Sequence, residues 1–243
     1  MQAPDTPIVV LVHGAWHGAW CWAALQTELD SRGIPSLAID LPGHGASPAP
    51  LGDLSTDAAA VSATLAMFTR PILLVGHSYG GAVIGETVAQ HANVFHQLFL
   101  CAYVLEVDET VIGLTRAMPE LPGPHEPSAL AKAMRLADGM STIDPEFAHA
   151  AFYGTCDPMV STANIARLSP QTLASMSEPA TVASWRHVPS TYVRCLADAA
   201  IPVPHQDFMA ARCSSVETLD TDHSPFASRP KETAEIIARI ARR

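Results

Sequence analysis

Uninterrupted apolar runs of strand length alternate with longer helical stretches through the first hundred residues of the chain. "PIVVLVHG" reads as a buried strand and "WCWAALQTELDSRG" as a helix closed by Gly33. "PSLAID" is a second strand, followed by the turn-rich "LPGHGASPAPLGD". "LSTDAAAVSATLAMFT" is a helix, "PILLVG" a strand, "GAVIGETVAQHA" a helix and "HQLFLCAYV" a strand. Strands apolar at nearly every position have no solvent face, which predicts a mostly parallel sheet flanked by helices on both sides.

From Glu106 to Arg186 the rhythm changes. Eight prolines (Pro119, Pro122, Pro124, Pro127, Pro145, Pro158, Pro170, Pro179) interrupt short helical patches such as "SALAKAMRLADGM", and no strand is predicted there. The simplest organisation is a core made of residues 1–105 and 187–243. Residues 106–186 then form a mainly helical insertion over the sheet's edge. Alternation resumes with "STYVRCL" as strand, "PHQDFMAARC" as helix, "SVETLD" as strand and "PKETAEIIARIARR" as the closing amphipathic helix.

With 243 residues, 48% of them hydrophobic, the chain has enough apolar surface for one large core carrying such an insertion. Its formal charge is −10, and Lys132 and Lys231 are the sole lysines. Without a basic stripe, no nucleic-acid partner is expected, and an acidic surface disfavours anionic membranes. Cys21, Cys101, Cys156, Cys195 and Cys213 are scattered and odd in number, which suits reduced thiols in a cytoplasmic protein. The start "MQAPDTPIVVLVHG" lacks the basic opening and long apolar core of a signal peptide.

The stretch "ILLVGHSYGGAVIGE" places Ser78 between Gly76 and Gly80 where a predicted strand gives way to a predicted helix. A nucleophile elbow needs that spacing, because its turn is too sharp for side chains two residues to either side. Serine also needs a base, itself oriented by a third group. His223, in "LDTDHSPF", directly follows the last predicted strand. Asp198, in "YVRCLADAAIP", follows the preceding one, and the order Ser, Asp, His is that of a nucleophile-elbow triad. Asp207 lies in a predicted helix, while Asp220 and Asp222 are too close to His223 to brace it easily. The expected oxyanion donors are the backbone N–H groups of Tyr79 and of Ala15 in "HGAWHGAW". His77 is expected to support the elbow. His13 and His17 have the spacing of a metal pair but no carboxylate partner nearby, so they are read as shaping the loop and no metal is expected.

Together "VVLVHGAWHGAWCW", "AIDLPGHGAS", "LLVGHSYGGAVI", the Asp198 loop and "DTDHSPF" resemble the α/β-hydrolase superfamily. Within it they are similar to the branch of esterases and hydroxynitrile lyases, which includes plant methyl esterases and bacterial pyrethroid and carbamate hydrolases. The resemblance implies an α/β-hydrolase fold with a cap and no cofactor. It supports Ser78, Asp198 and His223 as triad, with Ala15 and Tyr79 as donors. Plant-type lyases carry a threonine after the first-strand histidine and a lysine after the catalytic one. This chain has Gly14 and Ser224 there, which favours hydrolysis.

Pocket candidates are Gly14, Trp16, His17, Tyr103, Phe152, Trp185 and Phe226, with Met118, Met134, Met140, Met159 and Met176 making the cap adaptable. The expected partner is a small, largely apolar carboxylic ester or methyl carbamate, and a homodimer is a possible assembly. The alternatives are a lyase, another amide- or C–C-cleaving enzyme on the same triad, and a slow-turnover receptor.

Overall fold

The computed structural model describes residues 7–87, 91–118 and 128–243. Six parallel strands form the central sheet: β1 (Ile8–Val12), β2 (Ser36–Ile39), β3 (Ile72–His77), β4 (Val94–Leu100), β8 (Ser190–Cys195) and β9 (Ser215–Leu219). Their order across the sheet is β2-β1-β3-β4-β8-β9. Side chains alternate between two buried layers, which is why these strands read as continuous apolar runs. Val9, Leu11, Leu73, Val75, Leu98 and Val193 face the layer of α1 (Ala23–Ser31), α10 (Pro225–Ser228) and α11 (Pro230–Ala241). Val10, Val12, Leu74, Phe99 and Tyr192 face the layer of α2 (Leu54–Leu65), α3 (Tyr79–Thr87) and α9 (Val203–Ala210).

Local chemistry sets the helix ends. Asp53 caps α2 by accepting from the Thr56 N–H at 2.9 Å. Pro230 opens α11 with its fixed φ, and Ala234, Ile237 and Ala241 recur on its buried face. Among the described residues, no helix is long and apolar enough to cross a membrane.

Between β4 and β8 the described residues form five short α-helices and a small second sheet. The helices are α4 (Val111–Ala117), α5 (Ala129–Ala133), α6 (Pro145–Phe152), α7 (Pro158–Ile165) and α8 (Leu173–Ser177). The sheet is antiparallel, with β6 (Met140–Ile143) between β5 (Met134–Ala137) and β7 (Gln171–Thr172). This corrects the expectation of a segment without strands. The helix expected across 128–140 stops at Ala133, and the chain turns back through Asp138 (φ 51°) and Gly139 (φ 75°). Asp-Gly with both residues at positive φ is a two-residue hairpin turn, a signal present in the sequence beneath the Ala- and Leu-rich helical pattern. Pro119, Pro122, Pro124, Pro127 and part of the helix end expected at 88–92 lie outside the described residues.

The end of β3 is packed backbone to backbone. A Cβ on Gly76 would lie 2.5 Å from the Gly80 carbonyl oxygen, and one on Gly80 would lie 2.6 Å from the carbonyls of Val12 and His13. Gly85, on the same helix, has nothing within 4 Å of such a Cβ. Gly80→Ala is therefore expected to destabilise the fold by at least about 2 kcal/mol, because backbone atoms must move. Gly85→Ala should be neutral or stabilising by about 0.5–1 kcal/mol. Denaturant unfolding of the two variants beside wild type checks both signs.

Candidate active site

Ser78 occupies the single residue between β3 and α3, at φ 52°. That conformation is costly for any residue with a Cβ and persists where the surroundings enforce it. Here the Ser78 carbonyl accepts the N–H groups of Gly81 and Tyr103, each at 3.0 Å. The turn carries the side chain to a cavity of about 390 Å³, whose wall includes Ala15, Trp16, Ser78, Tyr79 and Tyr103. Ser78 Oγ makes no hydrogen bond among the described residues.

Asp198 follows β8 and His223 follows β9, and the two meet below the elbow. His223 Nδ1 donates to Asp198 Oδ2 at 2.7 Å. Asp198 Oδ1 accepts from the N–H groups of Ala200 and Ile201, both at 2.8 Å, and Oδ2 also accepts from Gln206 Nε2 at 3.2 Å. Four donors on one buried carboxylate fit its acceptor-only inventory and fix its orientation. With Nδ1 committed, Nε2 is the one basic nitrogen that His223 retains.

The neighbours of His223 hold its backbone. His77 Nε2 donates to the His223 carbonyl at 2.7 Å, and the Cys101 thiol reaches the same oxygen at 3.5 Å. His77 is buried beside His223, and burial first, then the charge of His223, keeps its pKa well below the usual histidine range. Of the competing carboxylates, Asp207 pairs with Arg194 at 2.6 Å. Asp222 points away from the imidazole. Its Oδ2 accepts from Thr155 N and Oγ1 (2.8 and 3.0 Å), and its Oδ1 from Ser224 N and Ser228 Oγ (2.9 and 2.6 Å). Asp222 thus ties the His223 loop to the chain after α6, a role the sequence reading missed.

The loop after β1 supplies the other side. Neither Ala15 nor Tyr79, the two expected donors, gives its backbone N–H to an acceptor among the described residues. Buried N–H groups are rarely left unpaired, so a pair bordering one cavity suits an oxygen ligand. His13 Nε2 accepts from Leu41 N at 3.1 Å while Nδ1 faces the Gly14 carbonyl at 2.8 Å. His17 Nδ1 faces the Ala15 carbonyl at 2.8 Å, and Nε2 meets the Tyr153 hydroxyl at 2.8 Å. Burial lowers the pKa of His13 to about 3 and of His17 to about 4, so both are neutral. With all four ring nitrogens engaged, the pair is a scaffold. Among the described residues one close group has metal-ligand chemistry, His77, Cys101 and His223, and the first two already donate to the His223 carbonyl.

Of the pocket candidates, Trp16 and Tyr103 border the cavity. Gly14 sits behind it, where an added Cβ would be 2.8 Å from Ser78 Cβ. The other candidates lie off the wall. Phe152 fills the space between Trp16 and His223, with ring centroids 5.9 Å from each. His17 lies beneath the loop, and Phe226 packs with Trp22 at 4.8 Å in the layer across the sheet. Trp185 donates its indole N–H to the Leu105 carbonyl at 2.8 Å. The wall is completed mainly by residues whose place depends on the segment between β4 and β8, among them Val111, Ile112, Leu130, Leu136 and Leu173. Met134 and Met176 join it, whereas Met159 is 83% exposed. Among the described residues, Arg116 is the one basic side chain on the wall.

Besides Asp222, a further buried acid, Asp57, stands outside the Ser78–His223–Asp198 set. The Tyr79 hydroxyl donates to Asp57 Oδ2 at 2.7 Å, while Asp57 Oδ1 has no partner among the described residues. Burial, opposed by the Tyr79 hydrogen bond and reinforced by Asp53 and Glu178, raises the Asp57 pKa from 3.8 to about 7.

The sequence pattern of the family described as "Alpha/beta hydrolase family" matches residues 9–236. The chain is 27% identical over 250 residues to the alpha/beta hydrolase nvfD of Aspergillus novofumigatus, covering 97% of this chain and 96% of that protein. It is 25% identical over 261 residues to methylesterase 7 of Arabidopsis thaliana, covering 96% and 95%. Two further Arabidopsis thaliana methylesterases are longer, and the chain spans 58% and 57% of their lengths. Among solved structures, a pyrethroid hydrolase from Sphingobium faniae superposes with a TM-score of 0.83 at 25% identity, covering 97% of both chains.

Two outcomes follow from the carboxylates. Asp198→Asn, which removes the acceptor that orients His223, is expected to lower kcat by about 10⁴-fold. Asp222→Asn should leave kcat within tenfold while lowering the unfolding midpoint, and kinetics paired with thermal melts separates the two. Asp57 has a folded-state pKa above its unfolded one, so the stability it contributes is full below about pH 4 and lost as pH rises through about 7. Asp57→Asn should remove that loss, so the stability difference between variant and wild type grows in the variant's favour from pH 4.5 to 8 in denaturant titrations.

Proposed function

This chain belongs to the alpha/beta hydrolase family, and we propose that it is a serine esterase acting through an acyl-enzyme on small, largely apolar carboxylic esters or methyl carbamates. The observation that carries this reading is the convergence on one apolar cavity of a strained serine and two unpaired backbone N–H groups, Ala15 and Tyr79. The likeness to a methylesterase and to a pyrethroid hydrolase supports the ester-cleaving chemistry.

Ser78 Oγ attacks the carbonyl carbon while His223 Nε2 takes its proton. Asp198, bonded to Nδ1, keeps Nε2 as the basic nitrogen and stabilises the imidazolium. Negative charge gathers on the substrate oxygen between the N–H groups of Ala15 and Tyr79. Donors fixed in advance stabilise the transition state more than the ground state there. His223 then protonates the leaving alcohol, and water activated by the same nitrogen releases the acid.

The segment between β4 and β8 acts as a cap whose aliphatic residues select apolar substrates. Hydrolysis is favoured over cyanohydrin cleavage on two grounds. Gly14 has no room for a hydroxyl-bearing side chain beside Ser78, and Ser224 is fully buried.

A fluorophosphonate probe is expected to label wild type at Ser78 and to leave Ser78→Ala unlabelled. A panel of p-nitrophenyl esters, aryl methyl esters and methyl carbamates should show multiple turnovers, with mandelonitrile untouched. Labelling that survives Ser78→Ala would sink the nucleophile assignment, and single-turnover kinetics would favour a receptor.

A further inference from the structure

Trp16 lies in the left-handed region at φ 63°, although it is neither glycine nor small. It follows Ala15 directly, and such strain survives only where neighbouring contacts over-determine it. Three successive carbonyls of this loop are each pinned. The Gly14 carbonyl, in the same rigid peptide plane as the Ala15 N–H, faces His13 Nδ1 at 2.8 Å. The Ala15 carbonyl faces His17 Nδ1 at 2.8 Å, and the Trp16 carbonyl accepts from Ser169 N at 2.9 Å.

The first pin comes from the core, and the other two trace back to the cap. A carbonyl oxygen only accepts, so His17 must carry its proton on Nδ1, and the neutral ring then accepts at Nε2. The Tyr153 hydroxyl, 2.8 Å from Nε2, is the donor that selects this tautomer. Nearby, the Trp16 indole N–H donates to Ser141 Oγ at 3.1 Å and to the Ser141 carbonyl at 3.3 Å. Ser141 Oγ passes its own hydrogen to the Gln171 carbonyl at 3.2 Å, which joins β6 and β7 to the loop.

We infer that Tyr153 and Ser141 are positioning residues: through His17 and Trp16 they hold the Ala15 N–H in its oxyanion-binding direction, so that cap docking and oxyanion-hole assembly are one event. The inference rests on the assignment of Ser78 and Ala15 proposed above. It gives the cap a part in the chemical step besides its part in specificity. Without the Tyr153 hydroxyl, His17 is free to move its proton to Nε2. Its Nδ1 lone pair would then face the Ala15 carbonyl lone pairs, and the loop would turn away.

The test uses Tyr153→Phe and, as a second variant, Ser141→Ala, which keeps the Ser141 carbonyl for Trp16. Removing an oxyanion donor outright costs about 10²–10³-fold in kcat. Loosening one is therefore expected to cost roughly tenfold in Tyr153→Phe, with KM within threefold. Affinity for an aryl trifluoromethyl ketone, whose hemiketal oxygen is anionic, should fall by the same factor as kcat. Side-chain ¹⁵N spectra should show His17 protonated at Nδ1 in wild type and losing that preference in Tyr153→Phe.

Variants with kcat and ketone affinity within twofold of wild type overturn the inference. So does a fall in kcat with ketone affinity intact, or an unchanged His17 tautomer. Should Tyr153→Phe fail to fold, Ser141→Ala decides by the same kinetic comparison. A wild type that neither turns over esters nor labels at Ser78 instead overturns the reading beneath the inference. An active, labelled wild type with insensitive variants overturns the inference alone.

Discussion

The tight backbone contact between the end of β1 and the start of α3 governs the geometry of the site. Gly80 lies so close to the carbonyls of Val12 and His13 that no Cβ fits between them. Because those elements touch, the loop leaving β1 begins beside the elbow, and the N–H groups of Ala15 and Tyr79 border one cavity. The same contact leaves Ser78 no route from strand to helix except positive φ, which lifts its side chain out of the sheet. Sheet order adds the rest. β8 lies next to β4 and β9 next to β8, all parallel and on one side of β3, so the loops that follow them deliver Asp198 and His223 to the same end.

Behind this frame the protein buries a group of neutral rings, of which His77 lies against His223 with ring centroids 4.6 Å apart. His13, His17 and His77 are all buried, and burial drives each below the ordinary histidine pKa. In the proposed mechanism a second imidazolium there would oppose the charge that His223 takes up. With these neighbours neutral, the hydrogen-bonded carboxylate of Asp198 is the charge in direct contact with the imidazole. The rings still hold atoms in place, since His77 fixes the His223 carbonyl and His13 and His17 fix consecutive carbonyls of the loop after β1. Asp57 runs the other way. It is a buried carboxyl under the Tyr79 side chain, raised toward neutrality by the same desolvation.

The strands of the main sheet were legible because helices cover both faces, so each appears as an unbroken apolar run. The place of Ser78 on the strand-to-helix turn was legible because the elbow requires glycine at fixed spacing, and the places of Asp198 and His223 because each follows a readable strand. The segment between β4 and β8 was harder. Its strands are two to four residues long, too short for alternation to outweigh the helical propensity of alanine and leucine. Asp138-Gly139 was the local clue to the hairpin. The aromatic candidates failed to sort for a different reason. Phe152, Trp185 and Phe226 have the composition of pocket residues, yet Phe152 is a spacer against His223 and Phe226 belongs to the layer across the sheet.

The sequence by itself determined the sheet, the elbow and the loops that carry the triad candidates, because each depends on interactions within a few residues or on a strand's uniform burial. Only the tertiary structure decided which side chains line the cavity, that Asp222 latches a loop and that Asp57 lies under Tyr79. It alone joined Ser141 and Tyr153 to the loop after β1. Those relations bridge 22 to 136 positions of chain. No local periodicity encodes them, since they arise only when two separately folded stretches are pressed together and their buried polar groups must find partners.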